Sequence, residues 1–234
     1  MTFEGDLQSR VSKYLSRPTV QRPPLKGTLD AIKSSLPETV IFGGMIREIA
    51  LGGAKSFSSD IDLVSLATQD EIQDVTDIWA PVKNKFGGFR FVVGRQRFDI
   101  WSLDDTWAFR AGFADDCTFL GLLGTSFFNL DAVCLHLTTG KITFATGYGS
   151  AVANRLLDIN LAANPHPDRM ARKAITLALK HDLGLTSRLA AYIGQNISRG
   201  QLVGTELLFV RELDFYLRDS RATEFKFLPQ LQLG

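Results

Sequence analysis

Cysteine is scarce. The 234-residue chain holds two, Cys117 and Cys134, too few for a disulfide framework or a four-ligand zinc site. Two thiols buried in a reducing compartment fit that count. The three histidines, His136, His166 and His181, are widely separated and share no metal-ligand spacing. Long apolar runs are missing as well. Stretches such as Phe119–Leu123 fall far short of the roughly 18–20 residues a membrane helix needs. Met1–Arg10 mixes polar and acidic residues with no apolar core, so no secretory signal is expected and a cytoplasmic location is. An excess of one charge is also lacking, since 26 Lys+Arg against 25 Asp+Glu leave +1. Proteins that live on phosphate contacts usually carry a basic excess, so the average charge argues against extensive nucleic-acid binding. What remains is ordinary globular composition, 45% hydrophobic and 22% charged, enough for one large domain or two small ones.

Local patterns divide the chain in two. Asp6–Leu15 and Thr28–Leu36 read as helices, with Pro18, Pro23 and Pro24 marking the connection between them. Val40-Ile41-Phe42 is a short apolar strand that ends in Gly43-Gly44, and Met45–Leu51 follows as a helix closed by Gly52-Gly53. Asp60–Leu66 alternates as a strand does, carrying Asp60 and Asp62 on one face. Ile72, Val75, Ile78, Trp79 and Val82 fall at helical spacing. Phe89–Val93 and Arg97–Leu103 form a hairpin around Gly94-Arg95-Gln96, and Leu130–Leu137 with Lys141–Ala145 form another. Beyond about Tyr148 the texture becomes helical: Ala151–Leu157, Pro167–Asp182, Thr186–Ile197 and Thr205–Arg218. The expected fold is α+β. It is a small mixed sheet with flanking helices over residues 1–147, opened by a helical extension over 1–38, then a helical domain over 148–234.

Three features carry chemistry. Asp60 and Asp62 project from one strand face about 7 Å apart, a spacing suited to oxygen ligation of Mg²⁺. Asp99 stands in the apolar run Phe98-Asp99-Ile100-Trp101, where an unpaired carboxylate is expensive to desolvate. A partner cation is expected there, either Arg97, Arg47 or a metal ion. Gly43-Gly44 lies between a strand and a helix, where backbone N–H groups and the helix dipole suit a phosphate. Arg47, one turn on, adds a charge-assisted donor. The third glycine of the dinucleotide fingerprint and the Gly-Lys-Ser/Thr of the Walker loop are absent.

In this order the features resemble the head domain of the polymerase β-type nucleotidyltransferases. The branch they are most similar to is the class II tRNA CCA-adding enzymes and bacterial poly(A) polymerases. That branch reads Gly-Gly-x-Val-Arg-Asp-x-Leu-Leu-Gly, then Asp-x-Asp. This chain has Gly43-Gly44-Met45-Ile46-Arg47-Glu48-Ile49-Ala50-Leu51-Gly52, then Asp60-Ile61-Asp62. The resemblance implies a nucleotidyltransferase head and a neck-like helical segment. It implies transfer of NMP from an NTP to an acceptor hydroxyl, with two Mg²⁺ held by the catalytic Asp60, Asp62 and Asp99. Gly43, Gly44 and Arg47 would hold phosphates. Asn129 matches the asparagine of Arg-Asp-Phe-Thr-Ile-Asn-Ala and would meet sugar or phosphates.

Departures matter. The Arg-Asp of that last motif is Gly124-Thr125 here. In the family's neck motif Glu-Asp-x-x-Arg, Arg172 matches the arginine, Arg169 holds the aspartate's position, and Asp168 stands one residue earlier. Arg172 and Asp168 are the base-reading candidates, with altered selectivity expected. The resemblance covers most of Val40–Leu185, and the fifty or so residues that follow leave no room for the family's tRNA-gripping body and tail. A tRNA 3′ end is thus expected as acceptor only with a reduced footprint or a homodimer. A protein or a small molecule satisfies the chemistry equally, and a catalytically lapsed nucleotide-binding module is the competing class. No membrane partner is expected.

Overall fold

A computed structural model of the chain describes residues 2–16, 25–53, 57, 59–85, 87–114, 116–219 and 222–228. Two compact units form: Met1–Ser126 with Leu130–Gly149, and Phe127–Asn129 with Ser150–Gly234. The architecture is α+β. Among the described residues no helix is long and apolar enough to cross a membrane.

The first unit opens with helices α1 (Phe3–Ser16) and α2 (Leu25–Ser35). Strand β1 (Thr39–Phe42), helix α3 (Gly44–Gly52), strand β2 (Ile61–Ser65) and helix α4 (Gln69–Thr76) follow. Then come β3 (Val82–Lys83), β4 (Phe89–Val93), β5 (Gln96–Ser102), α5 (Trp107–Arg110), α6 (Phe119–Thr125), β6 (Val133–His136) and β7 (Ile142–Phe144). The strands form a seven-stranded sheet in the order β3-β4-β5-β2-β1-β6-β7. Only the β2–β5 neighbours run parallel.

Alternation explains the sheet's two faces. β2 buries Ile61 and Leu63 completely, and β4 buries Phe89 and Phe91 while Arg90 and Val92 face outward. On the apolar face α3 packs on β1, β2 and β6, α4 packs on β4 and β5, and α1 packs on α3. Leu7, Val11, Ile32, Ile46, Ile49 and Ile72 fill that layer and are almost wholly buried, each worth about 1.5–3 kcal/mol. The opposite face carries a smaller cluster, Val40, Val64, Leu103, Leu122, Leu123 and Cys134. Beyond that cluster the same face carries Asp62, Asp99, Arg90 and Arg97 together with Val92 and Trp101.

The helical stripe expected through Val82 stops early. α4 ends at Thr76, Asp77–Trp79 is a short 3₁₀ turn, and Ala80 adopts a left-handed φ of 48°. Pro81 follows it, and the residue before a proline is driven out of the α region. Trp79 instead stacks on Phe91 at 4.9 Å, and Phe91 on Phe98 at 5.2 Å.

The second unit is not purely helical. It begins within α7 (Tyr148–Ala153) and continues with β8 (Leu156–Leu157), α8 (Pro167–His181), β9 (Gly184–Thr186), α9 (Ser187–Asn196), α10 (Gly204–Asp219) and β10 (Glu224–Phe225). The strands form a sheet in the order β10-β9-β8. Helix was expected through Leu157, but Arg155 at φ 52° breaks it, and Asp182 at φ 50° ends α8 in the same way. α9 packs on α8 and α10, with Phe209 and Leu213 of α10 fully buried.

Candidate active site

The register of three strands places the charged residues in rows. Arg90 of β4 lies opposite Asp99 of β5, and Asp99 lies beside Asp62 of β2. Strands are spaced about 4.8 Å apart, so these three side chains stand shoulder to shoulder on the polar face. One step back along the strands, Arg97 donates from Nε to Asp60 Oδ1 at 3.0 Å. The expected pair Asp60 and Asp62 therefore shares its face with Asp99, across a parallel strand.

Asp99 is 3% exposed and is gripped on both oxygens. Arg90 Nε donates to Oδ1 at 2.9 Å and Oδ2 at 3.1 Å, and Nη2 donates to Oδ2 at 2.8 Å. These hydrogen bonds, with the carboxylate's charge, hold the Arg90 guanidinium above its usual pKa. The partner cation expected for Asp99 is thus Arg90, not Arg97 or Arg47. Among the described residues no group of three His, Cys, Asp or Glu side chains is gathered as a metal centre. Asp60, Asp62 and Asp99 share a surface, and arginines stand on two of them.

Gly43 and Gly44 close the site beside β2. Since β1 runs antiparallel to β2, the end of β1 meets the start of β2, which brings the glycines to the Asp60–Asp62 edge. Gly43 has φ 64°, and a Cβ there would sit 3.3 Å from the Asp131 carbonyl oxygen. A Cβ on Gly44 would sit 3.9 Å from Asp62 Oδ2 and 3.6 Å from Arg47 Nη2. Side chains would fill the cradle in front of Asp62. The N-cap residue Gly43 has no side chain to cap α3, whose first-turn N–H groups lack helical acceptors.

Arg47, expected at the phosphates, lies inside the protein. It is 4% exposed, its Nη2 meets Glu48 at 3.1 Å, and its Nη1 bonds Asp131. Burial opposes its charge, but Asp131 and Glu48 outweigh it and the guanidinium ends above its ordinary pKa. Asp131 in turn seats against Gly43. Arg47 therefore braces Gly43 through Asp131, while its Nη2 borders the Gly44 side of the cradle.

The remaining candidates belong to the second unit. The Asn129 side-chain amide donates to the Leu156 carbonyl at 3.1 Å, and its oxygen accepts from the Asp158 N–H at 2.9 Å. It ties the strand β8 segment in place. On α8, Arg172 donates from Nε to Asp168 at 3.2 Å and from Nη2 to the Ser198 carbonyl at 2.9 Å. Asp168 also accepts the Ser198 N–H at 2.6 Å, which lowers its pKa ahead of the smaller help from Arg172. Arg172 and Asp168 thus stand one turn apart as an ion pair, as the structure draws them.

Sequence reasoning missed Arg90 and Asp131. The signal for Arg90 was present in the hairpin's turn length. A three-residue turn at Gly94-Arg95-Gln96 would set Phe91 opposite Asp99. The observed turn is two residues, with Val93 paired to Gln96, and that single step puts Arg90 there. Asp131 sits in a 3₁₀ turn far along the chain from Arg47, and no local pattern announced it.

The mixed sheet with its glycine-started helix and aligned strand carboxylates is similar in fold to the head and neck portion of class II CCA-adding enzymes. A CCA-adding enzyme in complex with CTP matches with TM-score 0.59 and 19% identity, over 88% of this chain and 51% of that one. The Thermotoga maritima CCA-adding enzyme complexed with tRNA-CCA matches with TM-score 0.57 and 19% identity, over 87% and 50%. A tRNA nucleotidyltransferase complexed with a primer tRNA and an incoming ATP analogue matches with TM-score 0.58 and 16% identity, over 81% and 60%. The chain spans about half the length of the first two. At these identities the likeness is one of fold. No protein-family model matches the chain, and no curated protein sequence does.

Proposed function

We propose that the protein is a Mg²⁺-dependent nucleotidyltransferase that moves NMP from an NTP to an acceptor hydroxyl and releases pyrophosphate. The observation that carries this reading is the meeting of Asp60 and Asp62 with the Gly43-Gly44 start of α3 at one sheet edge. An oxygen-only donor pair beside an open cradle fits Mg²⁺, which is usually held by one or two carboxylates plus substrate phosphates. Asp60 and Asp62 would hold it, and the bound ion would neutralise phosphate charge and make the acceptor hydroxyl more acidic.

The chain's own groups supply the positioning. Uncapped N–H donors of α3 and its dipole accept the phosphate charge. Arg47, through Asp131, keeps the Gly43 backbone in the conformation this needs. The acceptor oxygen forms its bond to the α-phosphorus as the bond to the β-phosphate oxygen breaks, and the hydroxyl proton leaves to solvent. Such in-line displacement depends chiefly on alignment and charge neutralisation.

The solved enzymes of this fold were captured with CTP, an ATP analogue and tRNA, which supports an RNA 3′ end as the first acceptor to test. A second reading, a nucleotide-binding module without catalysis, is favoured by the guanidiniums standing on Asp99 and Asp60. Pyrophosphate release from each NTP with Mg²⁺, measured with RNA, protein and small-molecule acceptors, separates the two. Release that requires one acceptor class supports transfer. NTP binding with no release under any of them supports the binding module.

A further inference from the structure

Arg90 is a site cation that no motif announced. Its side chain is 54% exposed, whereas that of Asp99 is 4% exposed beneath it. The grip uses Nε and Nη2. Among the described residues Nη1 makes no hydrogen bond, so its two N–H donors are left on the exposed edge of the guanidinium. Asp99 has both oxygens turned to Arg90 and little solvent reaches them, so the guanidinium already stands where a further cation would compete for that carboxylate.

The geometry points to Arg90 as a built-in substitute for a second metal ion. Arg90 stays on Asp99, donates from Nη1 to a phosphate oxygen of the bound nucleotide, and leaves Asp60 and Asp62 to hold a single divalent cation. A guanidinium suits this because it stays charged at any working pH and presents planar donors to two oxyanions at once. The inference rests on the nucleotidyl-transfer reading and revises the two-ion site expected from sequence.

Mn²⁺ and the α,β-methylene analogues of ATP and CTP are the probes. Bound Mn²⁺ is counted from the electron paramagnetic resonance of the free ion, and analogue affinity is read by calorimetry. The wild-type chain is expected to hold one Mn²⁺ per bound analogue, and Asp99→Asn is expected to keep that count. Arg90→Met is expected to weaken analogue binding about ten- to a hundredfold, with Arg90→Lys recovering part of it. Two Mn²⁺ in the wild type, falling to one in Asp99→Asn, overturn the inference and leave the nucleotide reading standing. Unchanged affinity in Arg90→Met overturns it as well. If Arg90→Met does not fold, the wild-type and Asp99→Asn counts decide. Failure of the wild type to bind either analogue with Mn²⁺ removes the nucleotide reading and this inference together.

Discussion

Two arginines in the first unit hold carboxylates in opposite surroundings. Arg47 is sealed between Glu48 and Asp131, with its Nε buried and without a hydrogen-bond partner among the described residues. Arg90 lies half in solvent over a buried Asp99. The family-like motif pointed to the first as a phosphate ligand, yet the second faces outward. A buried pair holds backbone in place, because breaking it strands a charge away from water. A half-exposed guanidinium keeps donors for a ligand. Position in the motif therefore says less about an arginine's task than the exposure of its far edge.

The largest expected effect lies at the paired strand carboxylates. Asp60→Ala or Asp62→Ala should lower nucleotidyl transfer by about a thousandfold or more with the fold retained, Asp60→Ala losing only the half-exposed Arg97 pair, worth at most about 1 kcal/mol. Activity surviving in both variants under metal-controlled assay would move the metal elsewhere. The contrast itself is tested next. Arg47→Ala should destabilise the protein by about 3–5 kcal/mol, read from urea unfolding. Arg90→Ala should lose less, about 1–3 kcal/mol, since removing the half-exposed side chain opens a way for water to the carboxylate it leaves unpaired. Equal losses in the two variants would erase the distinction between them.

A smaller effect is expected at Arg172. A base-reading pair needs a donor and an acceptor on the base edge, and Arg172 supplies donors only. With its Nε and Nη2 already engaged by Asp168 and Ser198, strict addition of CTP and then ATP is not expected. Arg172→Ala should flatten NTP preference by a few-fold while pyrophosphate release persists, about the worth of one hydrogen bond. Addition of two C residues followed by one A by the wild type would contradict this. The smallest effect concerns Asp168. Its folded pKa lies below the ordinary carboxylate value of about 3.9, mainly because it accepts the Ser198 N–H. Its contribution is therefore complete at neutral pH and is lost as pH falls through the folded value. Asp168→Asn should flatten the acid limb of the unfolding midpoint against pH, and an unaltered limb would show the bond to be weak.

Much of the fold was legible because its cues are local. Strand β1, the glycine stop and helix α3 follow from composition and spacing, as do β2, β4 and β5. The Asp60–Asp62 face follows from the two-residue period of a strand. Three things were not legible, each for its own reason. The partner of Asp99 depended on one residue of turn length, which alternation does not set. The burial of Arg47 depended on Asp131, which the sheet brings back from 84 residues away. The three short strands of the second unit, two or three residues each, are shorter than any periodicity can report. Two of them, β8 and β9, begin just after Arg155 and Asp182 turn the chain in left-handed conformations. Non-glycine residues rarely adopt these.

The central claim is that the sheet edge bearing Asp60 and Asp62 carries out nucleotidyl transfer. It is tested most directly with NTPs labelled at the α-phosphate, incubated with Mg²⁺ and total cellular RNA, comparing the wild type with Asp62→Ala. The account predicts label covalently attached to a discrete acceptor band, equimolar pyrophosphate, and neither with Asp62→Ala. Nucleotide bound by the wild type with no label transferred to RNA, protein or small molecule would contradict it.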